Sequence, residues 1–147
     1  MKRRYPDGPI VAVGGIVVKD GRVLLIRRGK EPSYGLWSVP GGAVNLGEGL
    51  RTAAQREVRE ECGIEIDVTD VVEVLERVVR DPEDRIQYHY VLIDYLARWV
   101  SGDAAPSSDV LETRWVPPDD LPQYEMTRGT SDVIRKMLAA GKQAGVI

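Results

Sequence analysis

The window from Gly42 to Ile64 sets four carboxylates, one arginine and two glycines at a spacing that packing alone does not explain. It reads GAVNLGEGLRTAAQREVREECGI, or G-x5-E-x7-R-E-U-x-E-E-x-G-U with U aliphatic. Gly42, Glu48, Arg56, Glu57, Val58, Glu60, Glu61, Gly63 and Ile64 fill the fixed positions. Pro40, Gly41 and Gly42 break the chain after the apolar run Leu36–Val39, so a strand is expected to end there. Helix formers then run from Gly49 to Cys62, and Gly63 stands where a helix end favours a left-handed residue. At helical spacing Leu50, Ala54 and Val58 form an apolar stripe. Glu57, Glu60 and Glu61 fall beside it on the face that carries Ala53. Arg51, Gln55 and Arg59 point toward water.

Such a helix is uncomfortable by itself. Glu57 and Glu61 are like charges one turn apart, which costs roughly 0.2–0.5 kcal/mol on an isolated helix. Proximity to the buried stripe strengthens the repulsion, and acids near a helix C-terminus oppose its dipole. An Arg56–Glu60 pair fits a plain solvated surface as well as a functional site. Three carboxylates converging on one flank fit a hard divalent cation, Mg²⁺ or Mn²⁺, better than they fit a solvated face.

The complete pattern resembles the signature of the Nudix hydrolases, which cleave nucleoside diphosphates linked to another moiety. The resemblance implies a metal site formed by Glu57, Glu60 and Glu61, with Glu48 supporting or completing it and the Gly41 carbonyl as a further ligand. Arg56 would orient the carboxylates. The implied reaction is attack of an activated water on a phosphorus of the P–O–P bridge. The proton acceptor is either Glu57 or a carboxylate on a later loop, Asp109 or Glu112.

Composition is that of an ordinary soluble domain, with 43% hydrophobic and 29% charged residues. A length of 147 residues suits a single domain over 1–147. The net charge of −3 offers no basic field for extended nucleic acid or for an anionic membrane. That argues against an RNA-decapping role, and the intact carboxylate set argues against a non-catalytic nucleotide-binding module. Cys62 is the only cysteine, which excludes an intrachain disulfide. Lys2-Arg3-Arg4 followed by Ile10–Val18 superficially resembles a leader, but Pro6-Asp7-Gly8-Pro9 separates the two parts. Lys19-Asp20-Gly21-Arg22 reads as a hairpin turn returning through Val23–Ile26. A cytoplasmic protein is expected, with a homodimer left open.

Beyond the window, Val71–Val79 reads as a strand, Arg80–Asp84 as a turn and Ile86–Trp99 as a central strand covered on both sides. A short strand is expected over Glu112–Val116, stopped by Pro117-Pro118. Thr130 is expected to cap a last helix over about Ser131–Ala140, closed by Gly141. The expected fold is α/β: a Nudix-type α/β/α sandwich, with a mixed central sheet and the glutamate-bearing helix on one face.

Alternation turns only one of Arg27 and Arg28 toward a pocket, and the resemblance implies that an arginine here contacts phosphate, with Arg28 preferred. Trp37 is either a stacking platform or a core residue. Tyr34, Tyr88 and Tyr90 face the same choice, and His89 reads as structural. Among similar proteins, the ADP-ribose pyrophosphatases and MutT-type nucleoside triphosphatases are the nearest in outline. ADP-ribose or a similar sugar nucleotide is the first expected substrate and a nucleoside triphosphate the second.

Overall fold

The computed structural model describes residues 2–147. Its frame is a mixed sheet in which β1 (Ile10–Lys19) lies between β2 (Arg22–Arg28) and β6 (Ile86–Ser101), with β5 (Glu65–Arg80) outside β6. The short strands β3 (Trp37–Ser38) and β4 (Gly41–Ala43) pair with β2 and β1, and β7 (Val110–Val116) pairs with β2. Only β1–β6 is parallel among these pairings; the others are antiparallel. The β1–β2 turn has the backbone that Asp-Gly promotes, with φ of 50° at Asp20 and 74° at Gly21.

Alternation along β1 and β2 divides the core into two layers. Ile16, Val23 and Leu25 meet Ile134, Met137 and Leu138 of α2 (Thr130–Ala144) on one face. Val17, Leu24 and Ile26 meet Val58 and Cys62 of α1 (Leu50–Cys62) on the other. The sandwich expected from the sequence is therefore the observed architecture, with one helix on each face.

Five local expectations are corrected. The glycines read as a break after a strand form a strand of their own: β4 lies on β1, with Val13 opposite Gly42 and Gly14 opposite Gly41. A side chain on Gly41 would strike the Val13 carbonyl, so the approach of the two backbones requires glycine there. Strand β5 starts at Glu65, well before Val71, because Ile66 and Val68 alternate with polar residues at a sheet edge. On α1, Leu50 is exposed, while Ala53, Ala54, Val58 and Cys62 fill the core. Gly141 does not close α2; it lies inside the helix, packed so tightly on Leu96 that a Cβ would come within 2.3 Å of that side chain. Gly145 is the left-handed cap, and at the other end Gly129 precedes Thr130, which is the first helical residue.

Candidate active site

Helix α1 ends at Gly63, whose φ of 73° lets its N–H reach the Arg59 carbonyl. The last two turns of α1 lie against β4, where Glu57 meets Gly42 and Glu61 meets Gly41. Arg56 is the hub of the resulting cluster. Its Nε and one terminal nitrogen donate to Glu48 at 2.6 and 2.9 Å, and the second terminal nitrogen donates to Glu57 at 2.9 Å and Glu60 at 3.1 Å. A further bond of 3.0 Å to the Ala43 carbonyl ties the guanidinium to β4. These bonds gather Glu48, Glu57 and Glu60 around one cation, and hydrogen bonding from Arg56 holds Glu48 down at about 2.

Glu61 is set apart. It is 6% exposed, and its Oε1 accepts the Gly41 N–H at 2.7 Å. Burial pushes its carboxyl up to about 7 despite that bond, and the charge of Glu57 adds to the rise. Arg28 and Lys30 oppose it. Cys62 next in the chain is buried and inert, its thiol pushed up to about 12 by burial and then by Glu61.

The carboxylate of Glu57 rests directly on Gly42: any Cβ there would lie 2.5–2.6 Å from its carboxylate atoms. Gly41 and Gly42 also line a cavity of about 750 Å³, a size suited to a nucleotide-sized ligand. The two glycines thus form a thin partition between the α1 carboxylates and the cavity. The residues suit a hard divalent cation: all the donors are oxygens, one carboxylate is cradled at a glycine, and another is buried with an oxygen anchored. Among the described residues, no three acidic, histidine or cysteine side chains are grouped closely enough to hold a metal ion, and Arg56 is paired with Glu48, Glu57 and Glu60.

The cavity extends over the sheet toward Arg28, Arg77, Tyr90 and Asp94. Arg28 faces it, with Nε donating to the Pro32 carbonyl at 2.8 Å. Ser38, Thr127 and Thr130 supply hydroxyls on another wall, with Thr127 and Ser38 bonded at 3.2 Å. Burial pushes Asp94 up to about 6, with Glu73 contributing.

Several sequence expectations lie elsewhere. Arg27 turns to the Gly35 carbonyl at 3.0 Å and to Glu112 at 3.2 Å, because alternation gives the cavity to its neighbour Arg28. Trp37 packs edge-on against Tyr124 with centroids 5.1 Å apart, beneath the Arg114 guanidinium, so its ring is taken up by packing. Glu112 lies on β7 between Arg27 and Arg114. Asp109 pairs with Lys30 at 3.4 Å, and neither late carboxylate lines the cavity. Sequence reasoning missed Arg3, Arg77, Asp94 and Arg128. Alternation along β6, which puts Tyr90 and Asp94 on one face, was the one signal available; Arg77 is brought opposite Tyr90 only by the β5–β6 register.

The NUDIX domain profile matches residues 8–137. An ADP-ribose pyrophosphatase of Methanocaldococcus jannaschii is 33% identical over 115 residues, covering 78% of this chain and 66% of its own length. The chain thus spans about two thirds of that relative. A nucleoside triphosphatase NudI of Escherichia coli is 27% identical over 131 residues, covering 82% of this chain and 90% of its own. Among solved structures, a MutT NUDIX hydrolase from Burkholderia pseudomallei superposes with a TM-score of 0.75 at 32% identity, covering 88% of this chain and 98% of its own.

Proposed function

The chain belongs to the NUDIX domain family, and from that premise we propose that it hydrolyses the P–O–P bridge of a nucleoside diphosphate linked to another moiety, with ADP-ribose or a similar sugar nucleotide preferred. The observation that carries this reading is the Gly41–Gly42 partition, which puts Glu57 and Glu61 against one wall of a cavity whose other walls bear arginines and hydroxyls. Carboxylates on one side and guanidiniums on the other suit a substrate held by its phosphates at the point of cleavage.

Glu57, Glu60 and Glu61, with Glu48 and the Gly41 carbonyl in support, would hold Mg²⁺ or Mn²⁺. When bound, the cation lowers the pKa of water and neutralises charge on the bridging phosphates. Arg56 sets the rotamers of Glu48, Glu57 and Glu60 through its bonds. Arg28 presents a fixed cation to the phosphates, because its Nε is already anchored on Pro32. Glu57 is the proton acceptor we favour, because its carboxylate lies against Gly42 in the cavity wall, whereas Asp109 and Glu112 are not at that wall. The hydroxyls of Ser38, Thr127 and Thr130 are suited to the sugar.

A nucleoside triphosphate is the second reading, favoured by the resemblance to a nucleoside triphosphatase over most of both chains. A turnover screen with Mg²⁺ and with Mn²⁺ separates the two. AMP and ribose 5-phosphate from ADP-ribose support the first, and pyrophosphate with a nucleoside monophosphate supports the second. If neither forms, or if Glu60→Gln turns over as fast as the parent, the hydrolase reading is lost.

A further inference from the structure

The segment ahead of β1 is fastened to the far end of the β5–β6 hairpin. The Tyr5 hydroxyl donates to Asp81 Oδ2 at 2.6 Å, and the Tyr5 N–H donates to the Gln87 carbonyl at 2.7 Å. Arg85 bonds the same Asp81 oxygen at 2.9 Å while its guanidinium lies 5.2 Å from the Tyr5 ring centroid. The Asp81 side chain is only 5% exposed. Tyr5 itself has a φ of 52°, a conformation that a residue with a side chain holds only where its surroundings impose it.

That clasp sets Arg3 at the cavity wall. There Arg3, Arg28 and Arg77 all lie near enough to Tyr90 to favour its ionised form, although burial still keeps its phenol above the ordinary value. Arg28 and Arg77 each give one bond to a neutral oxygen, the Pro32 carbonyl and the Ser33 hydroxyl, both at 2.8 Å. Burial, followed by the charge of Arg77, weakens the hold of Arg28 on its proton. Among the described residues no carboxylate is hydrogen-bonded to any of these three guanidiniums, and Glu61 and Glu31 act on Arg28 only at longer range, so the phenol sits in a concentration of positive charge that the fold only partly offsets.

Resting on the hydrolase reading, we propose that the Tyr5–Asp81 clasp holds Arg3 beside Arg28, Arg77 and Tyr90 to form a second anion subsite, which takes a phosphate group carried by the substrate beyond the pyrophosphate that is cleaved. Arg3 is then a specificity-determining residue, and Tyr5 and Asp81 are positioning residues acting through it. Three forked donors match the oxygens of a phosphate, and their mutual repulsion is relieved when it binds.

Calorimetric titration in EDTA tests the subsite apart from catalysis, using two matched pairs: ADP-ribose with its 2′-phosphate, and ADP with ATP. The wild-type protein is expected to bind the phosphate-bearing member of at least one pair about tenfold more tightly. Arg3→Ala should bring that ratio close to one, Arg3→Lys should keep part of it, and Tyr5→Phe should lose most of it. A purely structural clasp would lower the melting temperature of Tyr5→Phe without changing the ratio. Wild-type ratios near one in both pairs, or a preserved ratio in Arg3→Ala, would overturn the subsite. Turnover of ADP-ribose with flat ratios would remove the subsite and keep the hydrolase. A strong preference without turnover of any nucleotide would do the reverse.

Discussion

Arg56 grips Glu48 through two parallel hydrogen bonds, at 2.6 and 2.9 Å, and this fork orders the carboxylate cluster on α1. Lysine in its place keeps the charge and loses the fork, together with the simultaneous reach to Glu57, Glu60 and the Ala43 carbonyl. Arg56→Lys should raise the Mg²⁺ concentration needed for half-maximal turnover roughly 10- to 100-fold, as loss of a ligand-orienting partner does. Activity measured across a Mg²⁺ titration checks this; a curve superimposable on the wild type would show that Arg56 does not organise the cluster.

Gly42 offers a separation of stability from activity. The three atoms nearest a methyl group there are all at the end of the Glu57 side chain, at 2.5–2.6 Å, and that end can swing away. Gly42→Ala should therefore melt within a few degrees of the wild type while losing most of its turnover. Thermal denaturation and initial rates on the same preparation decide it, and full activity would place Glu57 outside the chemistry.

Asp94 gives a pH signature. Burial holds its carboxyl at about 6 in the folded chain, above the ordinary value of 3.8, so the folded chain binds more protons between those limits. Its contribution to stability is fully present below about 3.8 and is lost as pH rises through about 6. Above that pH the charge, partly desolvated at the cavity wall, costs at most about 3 kcal/mol, since each tenfold change in proton affinity is worth about 1.36 kcal/mol. Asp94→Asn should raise stability at about pH 7.5 and leave it little changed at about pH 4. Urea unfolding at both pH values measures the difference, and an equal effect at the two would contradict the burial argument.

Gly141 is predicted to resist the substitution that usually helps a helix. Alanine in a helix interior is normally favoured over glycine by about 1 kcal/mol. Here its methyl would meet Leu96 at 2.3 Å in a closed core, where overpacking costs about 1–3 kcal/mol. Gly141→Ala should lower the unfolding midpoint in urea; a rise would mean that Leu96 has room to move.

That glycine also marks where the sequence was readable and where it was not. Gly63 and Gly141 look alike in the chain, each following a helical run, but Gly63 has a φ of 73° at a helix end, while Gly141 is inside α2 and is selected by contact with a strand distant in sequence. Local signals were enough for α1, the Asp20-Gly21 turn and the glutamate cluster, whose spacing is itself local. Contacts set by strand pairing were hidden: β4 on β1, the early start of β5 at a polar edge, and Arg77 opposite Tyr90. Trp37 shows the same limit, since its packing partner Tyr124 arrives from a late loop. Alternation showed that only one of Arg27 and Arg28 could face the cavity, and the structure makes it Arg28.

Everything proposed for this site depends on the α1 carboxylates binding a divalent cation at the wall of the cavity that Gly41 and Gly42 line. Electron paramagnetic resonance of free Mn²⁺, titrated with wild-type protein and with Glu57→Gln, tests that binding without any substrate. The wild type is expected to deplete the free-ion signal, and the variant to bind at least about tenfold more weakly with its circular dichroism unchanged. Equal depletion by both proteins would contradict it.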